Sequence, residues 1–182
     1  MHIYKNNHLT LASSVVSIGA FDGLHRGHQT LIKEAAKRAR ELGVPSVVYT
    51  FDPPPRAHFQ NTRVLTSVDE KIELIKLFDI DYVVVAEFNK EYASREALEF
   101  LLELSFLGPK EIWVGPNFQF GKGKKGNTNL LSDYFHVNVH PLVTCDKGEI
   151  ISSTRIRELL QNNKRKQADH LLGRPRIKSL NT

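Results

Sequence analysis

The amino-acid sequence predicts an α/β fold in which a parallel sheet is doubly wound, with helices on both of its faces. Short β-branched runs alternate along the chain with segments whose apolar residues recur at helical spacing, a pattern typical of repeated strand–helix–strand units. The segments rich in glycine, proline and polar residues follow the predicted strands. In parallel sheets such segments line the edge at which ligands bind.

Each predicted element rests on a local pattern. The strands are β-branched or alternating runs, and the helices begin near a capping residue or a glycine and end near glycine or proline. Five strands are predicted at 14–18, 47–51, 81–85, 111–115 and 137–143, with a candidate edge strand at 1–4. Helices are predicted at about 27–42, 67–78, 94–104, 130–135, 152–160 and 165–172.

Two helix starts and one loop are predicted from particular residues. Ser67, with a glutamate three residues later, reads as a capping box, and Ser94 is the expected N-cap of the next helix. Three consecutive prolines after the second strand predict a stiff loop that continues to Arg63. The four segments that follow strands are expected to converge at one edge of the sheet; they are 19–28, 52–63, 115–126 and 144–154.

Length and composition limit the class of protein. The 182 residues are enough for one domain covering 1–182, and the net charge of +5 suits anionic ligands without requiring nucleic acid. Cys145 is the only cysteine, so no disulfide can form within the chain. No apolar run is long enough to span a bilayer. We therefore expect a cytoplasmic protein without membrane or nucleic-acid partners; its oligomeric state is left open.

The most informative stretch runs from Val15 to His28. A buried β-branched strand gives way to a turn with glycines at 19, 23 and 27, and a helix follows. Two histidines, His25 and His28, thus lie where a helix begins, and free N–H groups and the positive end of the dipole attract phosphate there. The spacing matches neither the dinucleotide-binding glycine motif nor the P-loop. It predicts a polyphosphate cradle.

This stretch resembles the HxGH signature of the nucleotidyltransferases, here His25-Arg26-Gly27-His28. The longer string from Gly19 to Gln29, G-x-F-D-G-x-H-x-G-H-Q, is similar to that of the prokaryotic FAD synthetases. A second match lies near the other end of the chain, where Ile151 to Arg157 resembles the ISSTxxR motif of the same enzymes. The resemblance implies a Rossmann-like fold of the nucleotidyltransferase type.

The middle of the chain is similar to the flavin branch of that superfamily. The segment 50–56 resembles the family's T-F-x-P-H-P loop but has Pro54 where histidine is usual. The segment 114–121 resembles V-G-x-[DN]-F-x-F-G, and 63–67 resembles a further family segment. Packing beneath the loop is the alternative role for Phe118 and Phe120.

The resemblance implies an FMN adenylyltransferase, which transfers AMP from ATP to FMN and yields FAD and pyrophosphate, with Mg²⁺ accompanying ATP. The implied catalytic residues are His25, His28 and Arg157. The implied ATP- and phosphate-binding residues are Gly19, Ala20, Phe21, Asp22, Gly27, Ser153 and Thr154. The implied flavin- or nucleotide-binding residues are Thr50, Phe51, Pro53, Pro55, Arg63, Asn117, Phe118 and Phe120. No set of protein metal ligands is predicted.

Three points complete the prediction. Residues 171–175 resemble the junction at which bifunctional family members continue into a riboflavin kinase module, so 176–182 is expected to be a tail and kinase activity is not expected. A related nucleotidyltransferase that uses another phosphate acceptor is one alternative function. A non-catalytic regulator that binds flavin or ATP is the other.

Overall fold

The chain folds around a parallel sheet, as the alternating pattern predicts. A computed structural model describes residues 1–5, 8–60 and 62–175. The strands are β1 (His2–Lys5), β2 (Ser14–Ile18), β3 (Ser46–Asp52), β4 (Tyr82–Glu87), β5 (Pro109–Val114), β6 (Gln119–Phe120), β7 (Gly126–Asn127) and β8 (Val137–Val139). The helices are α1 (Arg26–Leu42), α2 (Pro55–Gln60), α3 (Val68–Ile75), α4 (Lys90–Ser94), α5 (Ala97–Ser105), α6 (Thr128–Ser132), α7 (Ser153–Gln161) and α8 (Arg165–Leu172). Short 3₁₀ turns occupy Lys76–Phe78 and Lys122–Lys124.

The order of the strands creates a switch point at β2. Within the described ranges the main sheet has six strands in the order β1-β4-β3-β2-β5-β8, and every neighbouring pair is parallel. The chain proceeds from β2 to β3 and β4 on one side, and then crosses to β5 on the other side. Ligands bind beside such a reversal in doubly wound sheets, at the carboxyl ends of the strands. The glycine-rich turn that follows β2 lies at this position.

The two faces of the sheet are covered by different helices because strand side chains alternate. Tyr49 and Phe51 of β3 point to one face, where they join a cluster with Phe100 and Leu104 of α5. Val48, the residue before Tyr49, points to the other face and packs with residues of α1 and α3. Burial on both faces explains the nearly continuous apolar strands, and the predicted doubly wound architecture is confirmed.

Several predicted elements differ in the structure. The segment after β3 is not a loop throughout, because α2 begins at Pro55. A proline is favoured at the first position of a helix, where its missing N–H is not needed and its fixed φ is helical. Ser94 does not cap α5; it ends α4, and Glu96 forms a capping box with Glu99 instead. The carboxylate of Glu96 thus replaces the expected hydroxyl.

The region after β5 also differs from the prediction. The loop 116–129 contains the antiparallel pair β6–β7, α6 begins two residues earlier than predicted, and β8 ends at Val139 rather than at 143. The predicted starts at Ser67 and Ser152 are confirmed, since each hydroxyl accepts a hydrogen bond from the amide three residues later. The predicted tail at 176–182 lies outside the described residues.

Candidate functional site

Three of the four segments predicted to converge meet at the carboxyl edge beside the switch point. The carbonyl of Asp22, in the turn after β2, accepts a 2.8 Å hydrogen bond from Ser153 Oγ at the start of α7. Arg56 of α2 donates to Thr154 Oγ1. The segments 19–28, 52–63 and 144–154 are therefore joined directly by hydrogen bonds.

The fourth segment, 115–126, makes its contacts with α5 instead. The amide of Lys122 donates to the carbonyl of Arg95 at 2.7 Å. Phe120 is buried, with ring centroids 5.1 Å from Phe100 and 5.6 Å from Phe118, while Asn117 is exposed. Phe120 thus has a packing role, and the flavin contacts of Phe118 and Asn117 stay predictions.

The two histidines of the glycine-rich stretch form a stacked pair at the start of α1. His25 is the N-cap, and its Nδ1 accepts a hydrogen bond of 3.4 Å from the amide of His28. The two rings are nearly parallel, with centroids 3.6 Å apart, and His28 meets the edge of the Phe21 ring at 5.3 Å. The spacing H-x-x-H produces this arrangement because a residue at the N-cap and one at the third helical position lie on the same side of the first turn.

Both histidines are held in the neutral form. Burial lowers the pKa of His25 to about 4. Burial lowers the pKa of His28 well below its ordinary value, and electrostatic interactions with His25 and Lys71 act in the same direction. Since Nδ1 of His25 accepts a hydrogen bond, the proton of the neutral ring is on Nε2. The Nδ1 atom of His28 is buried and has no hydrogen-bond partner among the residues that the structure describes.

Asp22 is the centre of a buried network that sequence reasoning did not foresee. One carboxylate oxygen accepts hydrogen bonds from the amides of Leu65 at 2.8 Å and Thr66 at 3.2 Å, and the other accepts from Arg157 of α7. The guanidinium of Arg157 also donates to the carbonyl of Arg63 at 2.9 Å. Asp22 therefore joins three segments by hydrogen bonds, which are the turn after β2, the segment 65–66 and the helix α7. Arg157 keeps unused N–H donors, and its predicted phosphate contact stays a prediction.

The start of α7 presents its polar groups beside the histidine pair. Ser152 is the N-cap, so the ISST segment supplies the first turn of a nine-residue helix. Ser153 donates its hydroxyl proton to the carbonyl of Asp22. Thr154 accepts a hydrogen bond from Arg56, and among the described residues its own hydroxyl proton has no acceptor. A free hydroxyl proton and free amides at a helix start are suited to phosphate oxygens.

Close packing explains two glycines of the cradle. A Cβ on Gly19 would lie 2.8 Å from the ring of Phe21, and a Cβ on Gly27 would lie 3.3 Å from the ring of His25. Phe21 is buried, with a positive φ of 47°, so its ring supports His28 from inside the core. Gly19 and Ala20 are partly exposed, and their contacts with ATP stay predictions.

The residues predicted to bind the flavin or the nucleotide differ in how far they are exposed to solvent. Thr50 and Phe51 are buried, and Thr50 Oγ1 hydrogen-bonds the carbonyl of Ala20 at 3.2 Å. The flavin contacts of these two residues stay predictions. Pro53 and Arg63 are exposed and Pro55 is partly exposed, so their side chains can be reached from solvent. Their roles stay predictions.

Two residues near the site were missed by the sequence analysis. Lys71 of α3 is 1% exposed and reaches the ends of β2 and β3. Its position one turn before Leu74 and Ile75, on the apolar face of a helix, was an available signal. Arg174 donates to the carbonyl of Gly23 at 2.8 Å and to Glu70 at 2.8 Å, which ties the segment after α8 to the glycine-rich turn.

A cavity of about 400 Å³ opens beside Arg157. It lies between the segment 63–65 and the helices α7 and α8, and its lining carries Arg63, Arg165 and Arg174 together with Glu70. Its lining carries charges of both signs, and it shares Arg157 with the predicted phosphate site.

Two searches of the described residues bear on the class of site. No helix in the ranges 1–5, 8–60 and 62–175 is long and apolar enough to cross a membrane. In the same ranges, no group of three or more histidine, cysteine, aspartate or glutamate residues could hold a metal ion.

Comparison with known proteins agrees with the geometry. A protein-family model described as FAD synthetase matches residues 8–155. A relative from Geobacillus thermodenitrificans is 46% identical over 170 residues, which cover 93% of this chain and 95% of that protein; it carries the provisional name bifunctional riboflavin kinase/FMN adenylyltransferase. A bifunctional riboflavin kinase/FMN adenylyltransferase from Buchnera aphidicola is 34% identical over 90% of this chain.

The chain spans only 56% of the length of the Buchnera protein. Among solved structures, a protein from Streptococcus pneumoniae named as a macrolide-efflux protein superposes with a TM-score of 0.83 at 31% identity. That match covers 95% of this chain and 62% of the other.

Proposed function

This chain belongs to the FAD synthetase family, and on that premise we propose that it transfers the AMP group of ATP to FMN, giving FAD and pyrophosphate. The observation that carries the proposal is the pair of neutral histidines at the start of α1, beside the polar first turn of α7. Two helix N-termini with free amides and side-chain donors at one sheet edge suit a polyphosphate substrate.

In the proposed reaction a phosphate oxygen of FMN attacks the α-phosphorus of ATP. The bond from that phosphorus to the bridging oxygen breaks, and pyrophosphate leaves with the electron pair. The nucleophile is already an anion, so no general base is required. The protein must bring two anions together and stabilise charge on the α-phosphate and on the leaving group.

The neutral state of the histidines fits this task. With its proton on Nε2, His25 presents an N–H donor that does not depend on pH in the physiological range, because its pKa is about 4. We assign His25 and His28 to donate to oxygens of the α-phosphate and the leaving group. Ser153, Thr154 and Arg157 would hold the β- and γ-phosphates. The support for Thr154 is its unused hydroxyl proton.

Magnesium enters the proposal as the ion that accompanies ATP. The described residues offer no cluster of ligands, and the Asp22 carboxylate is engaged by two amides and an arginine. Mg²⁺ keeps much of its water and commonly binds substrate phosphates rather than a protein cage, so this fits an ion held mainly by ATP. When bound it would withdraw charge from the phosphates.

The flavin is proposed to occupy the side of the site formed by the segment after β3, with Pro53, Pro55 and Arg63 within reach of solvent. The Pro54 departure from the family's usual histidine concerns this loop alone. The proposal includes a cytoplasmic location, in agreement with the single cysteine.

The direct test mixes the purified protein with ATP, Mg²⁺ and either FMN or riboflavin, and separates the flavins by chromatography. FAD formed from FMN, with pyrophosphate released in equal amount, is the expected result. Turnover of ATP with a different phosphate acceptor would contradict the choice of FMN, and tight flavin or ATP binding without pyrophosphate release would contradict catalysis. FMN formed from riboflavin would reveal a kinase activity.

The role of the histidine pair is tested separately with His28→Ala. Turnover should fall about 100- to 1,000-fold, as when one donor to a developing oxyanion is removed, while FMN binding measured by flavin fluorescence stays close to that of the wild type. His170→Ala is the matched control, because His170 is exposed and pairs with Asp146 away from the cradle. Equal turnover of the two variants would refute the assignment.

A further inference from the structure

Lys71 is a buried charged side chain to which neither the motifs nor the proposed chemistry assigns a role. It is 1% exposed, and its ammonium donates to the carbonyl of Ala20 at 2.9 Å, the carbonyl of Phe51 at 3.0 Å and Thr50 Oγ1 at 3.2 Å. The three protons of an ammonium thus meet three acceptors, none of which is a carboxylate. The cation is satisfied by hydrogen bonds rather than by an ion pair.

These acceptors belong to two different strand ends. Ala20 follows β2 and lies on the proposed ATP side of the site, whereas Thr50 and Phe51 end β3 on the proposed flavin side. Thr50 also bonds the Ala20 carbonyl directly. Lys71 projects from α3, and its hydrogen bonds therefore join the proposed ATP side of the site to the proposed flavin side.

Burying a cation in this position is costly for folding. A methionine has nearly the same length and would avoid the desolvation penalty of the ammonium, which buried ionic groups commonly fail to recover. Burial lowers the pKa of Lys71 to about 8, and the carboxylates of Asp22 and Asp52 oppose that shift. The retained charge therefore indicates a requirement other than stability.

A second observation links Lys71 to the reacting groups. Its charge is one of the causes that lower the pKa of His28, together with burial and the neighbouring His25. A neutral His28 offers a donor that gains strength only as charge develops on the phosphate.

We propose that Lys71 is a positioning residue for adenylyl transfer, which holds the segment after β2 and the end of β3 at a fixed separation. The proposal rests on the proposed function for the identity of the reaction, but not for the contacts themselves. The charged and titratable groups that face Lys71 are Asp22 after β2, Asp52 at the end of β3, and His28 on α1 with His25 stacked against it.

The first experiment compares Lys71→Met with the wild type and with Lys76→Met. Lys76 is an exposed lysine just after α3 that pairs with Glu73, so its loss controls for removal of a positive charge nearby. Lys71→Met should lower kcat for FAD formation about 10- to 100-fold, as expected for misplaced reactants. KM for ATP should change by less than about threefold, since the lysine touches no substrate.

The second readout is the titration of His28 by NMR of protein labelled at histidine. In Lys71→Met the pKa of His28 should rise, because one of the causes that lower it is removed, while in Lys71→Arg, which keeps the charge, it should stay low. The Lys71→Arg variant should also recover kcat in part, since it keeps a donor to both strand ends. A folded Lys71→Met variant whose kcat lies within about twofold of the wild type overturns the proposal.

The wild-type protein provides a test that does not depend on the variant folding. Its kcat should decline as pH rises past about 8, in step with loss of the Lys71 proton followed by NMR of labelled lysine. A flat kcat between pH 7 and about 9.5, across the titration of a lysine whose ordinary pKa is about 10.4, would also overturn the proposal. If the wild type forms no FAD, the proposed function fails. If the wild type forms FAD and Lys71→Met forms it at the same rate, the Lys71 proposal alone fails.

Discussion

The ion pair between Asp22 and Arg157 is the contact whose loss should be felt most strongly. Side-chain exposures of 4% for Asp22 and 11% for Arg157 place the pair almost wholly out of water. Replacing Arg157 with methionine leaves a buried carboxylate with only its two backbone donors, at Leu65 and Thr66. Breaking one side of a buried pair costs about 3–5 kcal/mol. That is a large part of the roughly 5–15 kcal/mol by which a domain is stable.

A double-mutant cycle measures the pair itself. Asp22→Asn keeps the shape of the side chain and an oxygen for the two amides, but turns an NH₂ group toward Arg157, at a cost of about 2–3 kcal/mol. Once either partner is absent, loss of the other should cost little. The double variant Asp22→Asn/Arg157→Met should therefore be less destabilised than the sum of the singles by about 2–3 kcal/mol.

Urea unfolding followed by circular dichroism gives the four free energies, with unchanged m-values as the check that the folded states are comparable. Lys37→Met is the control, because Lys37 and Glu41 form an exposed pair with 62% and 43% of their side chains accessible. It should change stability by less than about 0.5 kcal/mol. If the effects at Asp22 and Arg157 add to within about 0.5 kcal/mol, that result would falsify the claim that this ion pair stabilises the fold.

Three further outcomes follow from particular residues. Because the pKa of His25 is lowered to about 4 in the folded state, the stability that its neutral form provides is complete above about pH 6.5 and is lost as the pH falls toward 4. Chemical unfolding at several pH values should show a decline of about 3 kcal/mol from this residue, and His25→Asn, which keeps the cap, should remove that share. Gly121→Ala should lower the stability measured by thermal unfolding by at least about 2 kcal/mol, since the new Cβ would lie 2.8 Å from the backbone of Ala97. Gly123 also has a positive φ but faces open space, so Gly123→Ala should cost about 1 kcal/mol or less. Equal losses in the two variants would contradict the packing argument. Tyr49→Phe removes a fully buried hydroxyl that donates to Glu103 and should cost about 1–2 kcal/mol by urea unfolding, and a neutral effect would show that this hydrogen bond is not stabilising.

Where local patterns decide the backbone, the sequence was sufficient. The β-branched runs predicted the strands, and the residues from Arg165 to Leu172 were predicted as a helix with the bounds that the structure shows, ended by Gly173 in the left-handed conformation. Ser67 and Ser152 were predicted as N-caps and act as such. Hydrogen bonds between a side chain and an amide three residues away depend only on local geometry, so a short window of sequence is enough to recognise them.

Local rules failed where two of them competed. Three prolines after β3 suggested a loop, although a proline is also favoured at the first position of a helix, and α2 begins at Pro55. Ser94 was a reasonable cap by residue type, yet Glu96 is the N-cap of α5, because α4 already uses Ser94 as its last residue. Which competing local preference wins is settled by packing against the rest of the chain.

By itself the sequence determined that this is a parallel α/β protein of the FAD synthetase family with a histidine pair at a helix N-terminus. The periodicity of apolar residues sets the fold class, and the family is recognised from short motifs, each of which spans only about ten neighbouring residues. Only the tertiary structure decided that Arg157 meets Asp22, 135 positions away, that Lys71 joins two strand ends, and that the segment 115–126 packs on α5. Such contacts join residues far apart in the chain, so they depend on the order of the strands and on which charged side chains become buried. Neither can be predicted from the pattern of neighbouring residues.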